Sequence, residues 1–180
     1  GIFWLYMTAD ETAAFPGMGF SKIKADDIIG SYLALVYLTP FIGGLLADRI
    51  IGYRKSITIG GILFSLGYFG LAIPGSEVTF FLSLLLIIIG NGFFKPNIST
   101  LVGKLYNEEK YKPYRDAGYN IFYMGINIGA FICNFFAAYL RLNYGWGWAF
   151  AAAGAGMAIG LIWFWTAQTP KIKEVDILSP

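Results

Sequence analysis

The sequence predicts an all-α polytopic membrane protein with five full membrane-spanning helices and part of a sixth. Three observations carry that prediction: the composition, the clustering of the charges, and the length of the uncharged runs between them. The 180 residues are 57% hydrophobic and only 13% charged, with 18% aromatic residues and a mean hydropathy of +0.60. A soluble domain runs about 45–50% apolar and about 25% charged, so this chain lacks the polar surface to cover itself in water. Soluble globular, disordered, collagen-like and nucleic-acid-binding classes drop out together, and a net charge of +2 is too small to call for a polyanionic partner. Cys133 is alone and there is no histidine, which excludes an internal disulfide, a His-ligated metal and a Ser-His-Asp triad.

The elements follow in order. Gly1–Ala9 is apolar and reads as the last turns of a span; it has no basic leader region and is not read as a signal peptide. Asp10–Asp27 is polar, with Pro16 and Gly17-Met18-Gly19, and reads as a loop. Uncharged runs then cover Ile28–Ala47 (20 residues), Ser56–Ser76 (21), Val78–Phe94 (17), Ala117–Leu140 (24) and Leu142–Pro170 (29). A hydrocarbon core of ~30 Å takes roughly 20 helical residues at 1.5 Å each. Four runs reach that length, and Val78–Phe94 gains its missing turn by continuing through Lys95 to about Lys104. Strand-length alternation is absent, and lipid demands that backbone groups be satisfied within a segment, so helices are the expected answer. The inner loop Tyr106–Asp116 is charged and is expected to open as an amphipathic turn. Residues 1–170 form one transmembrane bundle, and 171–180 read as the start of a cytoplasmic linker.

Lys and Arg set the orientation. The first, third and fifth inter-span segments hold 3 of them; the second, fourth and the C-terminal tail hold 9, with Lys95 inside a span. The basic set belongs in the cytoplasm, so the stub exits outward and the chain ends inside.

Several spans carry more than an anchor needs. Gly125-x-x-x-Gly129 and Gly156-x-x-x-Gly160, with Gly43-Gly44 and Gly60-Gly61, are expected to let helix backbones approach closely. Pro40 and Pro96 each remove one backbone hydrogen bond and are expected to bend their helices. In the fourth span Asn91, Lys95 and Ser99 recur at four-residue spacing and form one polar stripe. A charge in hydrocarbon costs about 2.5–3.5 kcal/mol and normally faces a cavity or a partner. A lysine buried there alone tends to lose its proton, whereas a carboxylate holds it charged; the stripe therefore points to a proton-sensitive or anion-binding site. In the fifth span Asn120, Asn127 and Asn134 are seven apart and share a face with Tyr123. Interhelical hydrogen bonds would explain them; a water-filled path lined by both polar faces explains the two spans at once. Tyr37 lies beside Pro40 in the second span. The turn after it, Gly43 to Lys55, combines Asp48, glycines and a basic pair, Arg54-Lys55, and is expected to latch onto a neighbouring helix.

Gly44 to Lys55 resembles the loop signature of the major facilitator superfamily, with one extra residue, Ile51, before the glycine. With Tyr37-Leu38-Thr39-Pro40, Phe93-Phe94-Lys95-Pro96-Asn97 and Phe122-Tyr123-Met124-Gly125-Ile126-Asn127-Ile128-Gly129, the chain resembles the proton-dependent oligopeptide transporter (POT/PTR) family from about Tyr6 to about Thr169. That is the N-terminal half of such a transporter, a partial N-terminal six-helix bundle. The resemblance implies two six-helix bundles of inverted repeats with substrate near the midplane between them. It implies that Tyr37, Lys95 and Asn127 bind substrate, Lys95 taking the peptide carboxylate, and that Asp48, Arg49 and Arg54 belong to a gating loop. The family's first-helix Glu-x-x-Glu-Arg motif and the second-bundle residues are not in this stretch.

The expected function is proton-coupled symport of di- and tripeptides by alternating access. The same fold carrying nitrate or another small solute, and a non-transporting membrane scaffold, are the competing readings. No enzyme is expected, since no nucleophile-base pair, metal set or phosphate loop occurs. No cofactor is expected beyond protons as the coupling ion. The implied partners are small peptides, the bilayer and the C-terminal bundle of the same transporter, in a multi-pass cell-membrane protein (the inner membrane if bacterial).

Overall fold

Each long uncharged run lies mostly within one helix, and most helices extend past their run into the flanking charged residues. The computed structural model describes residues 2–168 and 170–176; Gly1 of the predicted stub, Thr169, and residues 177–180 of the predicted linker lie outside them. The helices are α1 (Ile2–Thr8), α2 (Lys22–Leu46), α3 (Tyr53–Ala72), α4 (Glu77–Leu105), α5 (Arg115–Tyr144), α6 (Trp146–Thr166) and α7 (Pro170–Glu174). Five of them are long and apolar enough to cross a membrane. Ser21 and Ser76 start α2 and α4 by accepting hydrogen bonds from the amides of Lys24 and Thr79, the usual way a serine satisfies a free helix N-terminus. The inner loop makes a short 3₁₀ turn, Lys112–Tyr114, before α5. The 29-residue run does not become one helix: its start turns at Gly145, and α6 begins at Trp146.

α2 continues past its apolar run as a π turn, Ala47–Ile51, closed by the Gly52 amide donating to the Ala47 carbonyl at 3.0 Å. A π turn accommodates one residue more than an α turn. That is how the additional Ile51 is absorbed without displacing the glycine that follows.

Two apolar clusters sit at opposite ends of the bundle. The outer one gathers Tyr6, Met7, Phe20, Phe80, Trp146 and Phe150 from α1, the first loop, α4 and α6. Trp146 also ties that end down, its Nε1 donating to the Phe15 carbonyl at 2.7 Å. The inner cluster is smaller: Ala47, Tyr53, Ile57 and Leu101. Between them the helices touch backbone to backbone. The α3–α4 contact closes at Gly60 and Gly90, where a Cβ on either residue would lie 2.8 Å from the other's carbonyl oxygen. The Gly125/Gly129 and Gly156/Gly160 pairs correct the expectation for them: a Cβ at any of the four meets nothing within 4 Å, because those faces of α5 and α6 point away from the described helices. α5 stands out in another way, with no buried residue along its length.

Candidate functional site

The site begins with what two prolines do to α2 and α4. Pro40 has no N–H to give the carbonyl of Val36, four residues back, and Pro96 has none for Gly92. Both orphaned carbonyls lie at the α2–α4 crossing. The Val36 oxygen accepts from Asn91 Nδ2 at 3.0 Å. The Gly92 oxygen faces Gly43, where a Cβ would sit only 2.1 Å away. Thr39 Oγ1 donates to the Ile88 carbonyl at 3.2 Å, and Asn97 Nδ2 donates to the Phe93 carbonyl at 2.7 Å and the Gly43 carbonyl at 3.3 Å. Asn91 and Asn97 are 8% and 1% exposed. Asn91 is therefore not a wall of a wet path, as the stripe suggested; its amide is used to mend α2. Sequence reading passed over Thr39, Asn97 and this use of Asn91, although polar residues beside or opposite in-helix prolines were a signal for all three.

These bonds also set the levels of the remaining polar groups. Lys24 pairs with Glu77 at 2.9 Å across the outer ends of α2 and α4, so the two helices run in the same direction. Thr39 bonds Ile88 and Gly43 meets Gly92, so Asn91 reaches outward to Val36 and Tyr37 stands about a turn outward of Asn91. Lys95 lies one turn, about 6 Å, further in than Asn91, and so about two turns, about 10 Å, inward of Tyr37. α5 runs the opposite way, and its register is given by Tyr119, whose hydroxyl donates to the Ser99 carbonyl at 3.2 Å. One turn outward from that bond Lys95 is level with Tyr123, which stacks on Tyr119 at 6.3 Å; two turns outward Asn91 is level with Asn127. The α4 stripe thus drifts from α2 at Asn91 to α5 at Ser99, with Lys95 between the two helices. Tyr37, Lys95 and Asn127 are all exposed, Tyr37 at 77%. Lys95 is in no ion pair among the described residues. Asn120 and Asn134 are exposed as well; Asn134 lines a cavity of about 230 Å³ with Tyr32, Tyr68 and Cys133 toward the outer end.

At the inner end the expected latch forms with different partners from those the charges suggest. Asp48 accepts from the Tyr53 hydroxyl at 2.6 Å, within its own turn. Arg49 is exposed. Arg54 makes the contact to another helix: its Nε donates to Gln168 Oε1 at 2.8 Å, its Nη2 reaches the same oxygen, and its guanidinium lies 5.3 Å from the Trp165 ring. Gly52, at φ +86, precedes α3 with no side chain to cap it. Asp176 supplies the cap from the tail, accepting from the Tyr53 amide at 2.7 Å and the Arg54 amide at 3.4 Å. Lys171 ties the same tail to Glu108, and that hydrogen bond raises the Lys171 pKa.

A sequence profile of the POT family matches residues 54–176. The chain belongs to the POT family. Among curated POT-like relatives, it is 46% identical over 127 residues to a di-/tripeptide transporter of Lactococcus lactis subsp. lactis, covering 71% of this chain and 25% of that protein. It is 37% identical over 175 residues to the peptide transporter YePEPT of Yersinia enterocolitica, covering 96% and 33%. Its fold matches the crystal structure of a peptide transporter POT in complex with sulfate, with a TM-score of 0.88, 37% identity and coverage of 95% of this chain and 34% of that one. A POT family transporter in complex with 5-aminolevulinic acid superposes with a TM-score of 0.87 at 34% identity, over 98% and 36% of the two chains. The chain thus spans about a quarter to a third of the length of the curated relatives it matches. POT membership and the superposition agree with the fold read from the sequence, an N-terminal part of a major facilitator bundle.

Proposed function

We propose that this chain is the N-terminal substrate-binding bundle of a proton-coupled symporter for di- and tripeptides that works by alternating access. The observation that carries the reading is the placement of Lys95: an exposed ammonium on α4, between α2 and α5, with Asn127 about one turn further out on α5 and Tyr37 about two turns further out on α2. An ammonium takes a carboxylate by a charge-assisted hydrogen bond. The rise from it to Asn127, about 6 Å, is within the roughly 7 Å that two extended residues span, and the rise to Tyr37, about 10 Å, is within the roughly 10–11 Å that three span. A peptide held by its C-terminal carboxylate at Lys95 thus presents its backbone amides to the tyrosine hydroxyl and the asparagine amide. Relatives named di-/tripeptide transporter support the substrate class.

The remaining parts of the mechanism follow from the family. Protons are the coupling ion, titrating an acid outside this stretch, and the C-terminal bundle supplies the other wall of the site. The Asp48-Arg49-Arg54 turn gates the inner side, consistent with its bonds to the end of α6 and to the tail. The protein sits in the cell membrane with its basic loops in the cytoplasm. In the full-length protein reconstituted in liposomes, Lys95→Ala should abolish uptake driven by an inward proton gradient. Unchanged uptake with unchanged pH dependence rejects the role of Lys95, and competition by nitrate in place of dipeptides rejects the substrate class.

A further inference from the structure

We propose that Asn91 is a positioning residue: its side-chain amide replaces the backbone hydrogen bond that Pro40 removes from α2, and so holds Tyr37 on α2 in register with Lys95 on α4. Nothing else among the described residues donates to the Val36 carbonyl from α4, and the bond is of normal length and shielded, 3.0 Å with Asn91 8% exposed. Tyr37 is the next residue along α2, and Lys95 is one turn along α4 from Asn91. A single bond therefore joins the backbone beneath one exposed polar group to the helix that carries the other.

The crossing around it is built to resist sliding. Thr39 bonds to the Ile88 carbonyl and Asn97 to the Gly43 carbonyl, so three side-chain-to-backbone bonds cross the interface in both directions. The second proline-orphaned carbonyl, that of Gly92, is seated on Gly43, close enough for a weak Cα–H···O contact. Two helices each interrupted by a proline, with bare carbonyls about two turns apart along the crossing, would otherwise hinge independently. Here each bend is locked into the other helix, and α2 and α4 form one rigid body from their outer ends at Lys24–Glu77 to Asn97. A peptide bridging Tyr37 and Lys95 then meets a fixed spacing throughout the cycle.

The ligand part of this inference rests on the transport reading; the hydrogen bond does not. The test is a double-mutant cycle in the full-length protein. Asn91→Leu keeps the size of the side chain but leaves the Val36 carbonyl without a donor. Pro40→Ala restores a backbone N–H to that carbonyl and makes Asn91 redundant. For Asn91→Leu alone, the KM for dipeptide uptake in proteoliposomes should rise about fivefold, the factor of one lost hydrogen bond, with the maximal rate little changed. On the Pro40→Ala background the same substitution should change KM less than twofold, and the thermal midpoints should show the same coupling. Equal effects of Asn91→Leu on both backgrounds overturn the proposal, as does a loss of maximal rate at constant KM, the signature of a merely structural role. Should Pro40→Ala fail to fold, Asn91→His decides: its Nδ1 stands where the amide Nδ2 does and donates to the carbonyl in the Nδ1–H tautomer. Near-normal KM in Asn91→His beside a raised KM in Asn91→Leu supports positioning, and equal losses overturn it. If the unaltered protein takes up no peptide, the transport reading fails, while the coupling of the thermal midpoints still decides the bond.

Discussion

Replacing Gly43 by alanine tests the crossing on which the site is built. The added Cβ would lie 2.1 Å from the Gly92 oxygen, a backbone atom with no rotamer to move away, whereas ordinary contact starts at 3.4 Å. The helices must therefore separate by about 1.3 Å there, an overpacking strain of about 1–3 kcal/mol. The three bonds across the crossing, at 3.0, 3.2 and 3.3 Å, then pass beyond useful hydrogen-bond distance. Interhelical bonds in membranes average ~0.6 kcal/mol each. Together these put the expected loss at about 3–5 kcal/mol, a large share of the roughly 5–15 kcal/mol that keeps a protein folded. The assay is denaturant or thermal unfolding of the full-length protein in detergent, with Gly156→Ala as a companion. A Cβ at Gly156 meets nothing within 4 Å, and alanine favours the helix by about 1 kcal/mol over glycine, so that variant should lose no stability. Equal stability of the two variants would refute the backbone contact and the rigid α2–α4 pair with it.

Two further outcomes concern the inner end. Asp176→Ala removes the cap of α3 and should cost about 1 kcal/mol, read as roughly fivefold faster hydrogen exchange at the amides of Tyr53 and Arg54; unchanged exchange there removes the tail from the account. The Glu108 hydrogen bond raises the Lys171 pKa. A raised folded value means that the tail contact is fully present below the ordinary lysine range and is lost as pH rises through the folded value. Exchange protection of the Val175 amide, which donates to the Lys171 carbonyl at 3.2 Å, should therefore hold across neutral pH and fall only in strong alkali, and Lys171→Met should remove that alkaline step.

The outcome at α4 shows where sequence reading stops. The i, i+4, i+8 spacing of Asn91, Lys95 and Ser99 correctly puts them along one side of a helix. It does not say that the side turns by about 40° over each four-residue step, since 3.6 residues make a turn. Over two steps that rotation carries the stripe from α2 to α5, so Asn91 is buried in a contact while Lys95 is exposed. Glycine spacing was a weaker guide still. Gly125, Gly129, Gly156 and Gly160 have the small-residue pattern and no neighbour, whereas Gly43, Gly60 and Gly90 carry the close approaches without that spacing. The tail was read as the start of a linker, and its contact with α3 joins residues 123 apart in the chain.

Hydropathy and charge position were sufficient by themselves for the number of spans and their helical nature. Burying an unsatisfied peptide group in lipid is so costly that twenty uncharged residues have one solution, and that solution is local. The partner of each polar group was decided only by the folded bundle. Whether an asparagine mends a bent helix or faces a solute depends on which carbonyl a distant proline has left bare, and on the rotation and register at which two helices meet. Those are properties of pairs of segments, and a single strand of letters does not contain them.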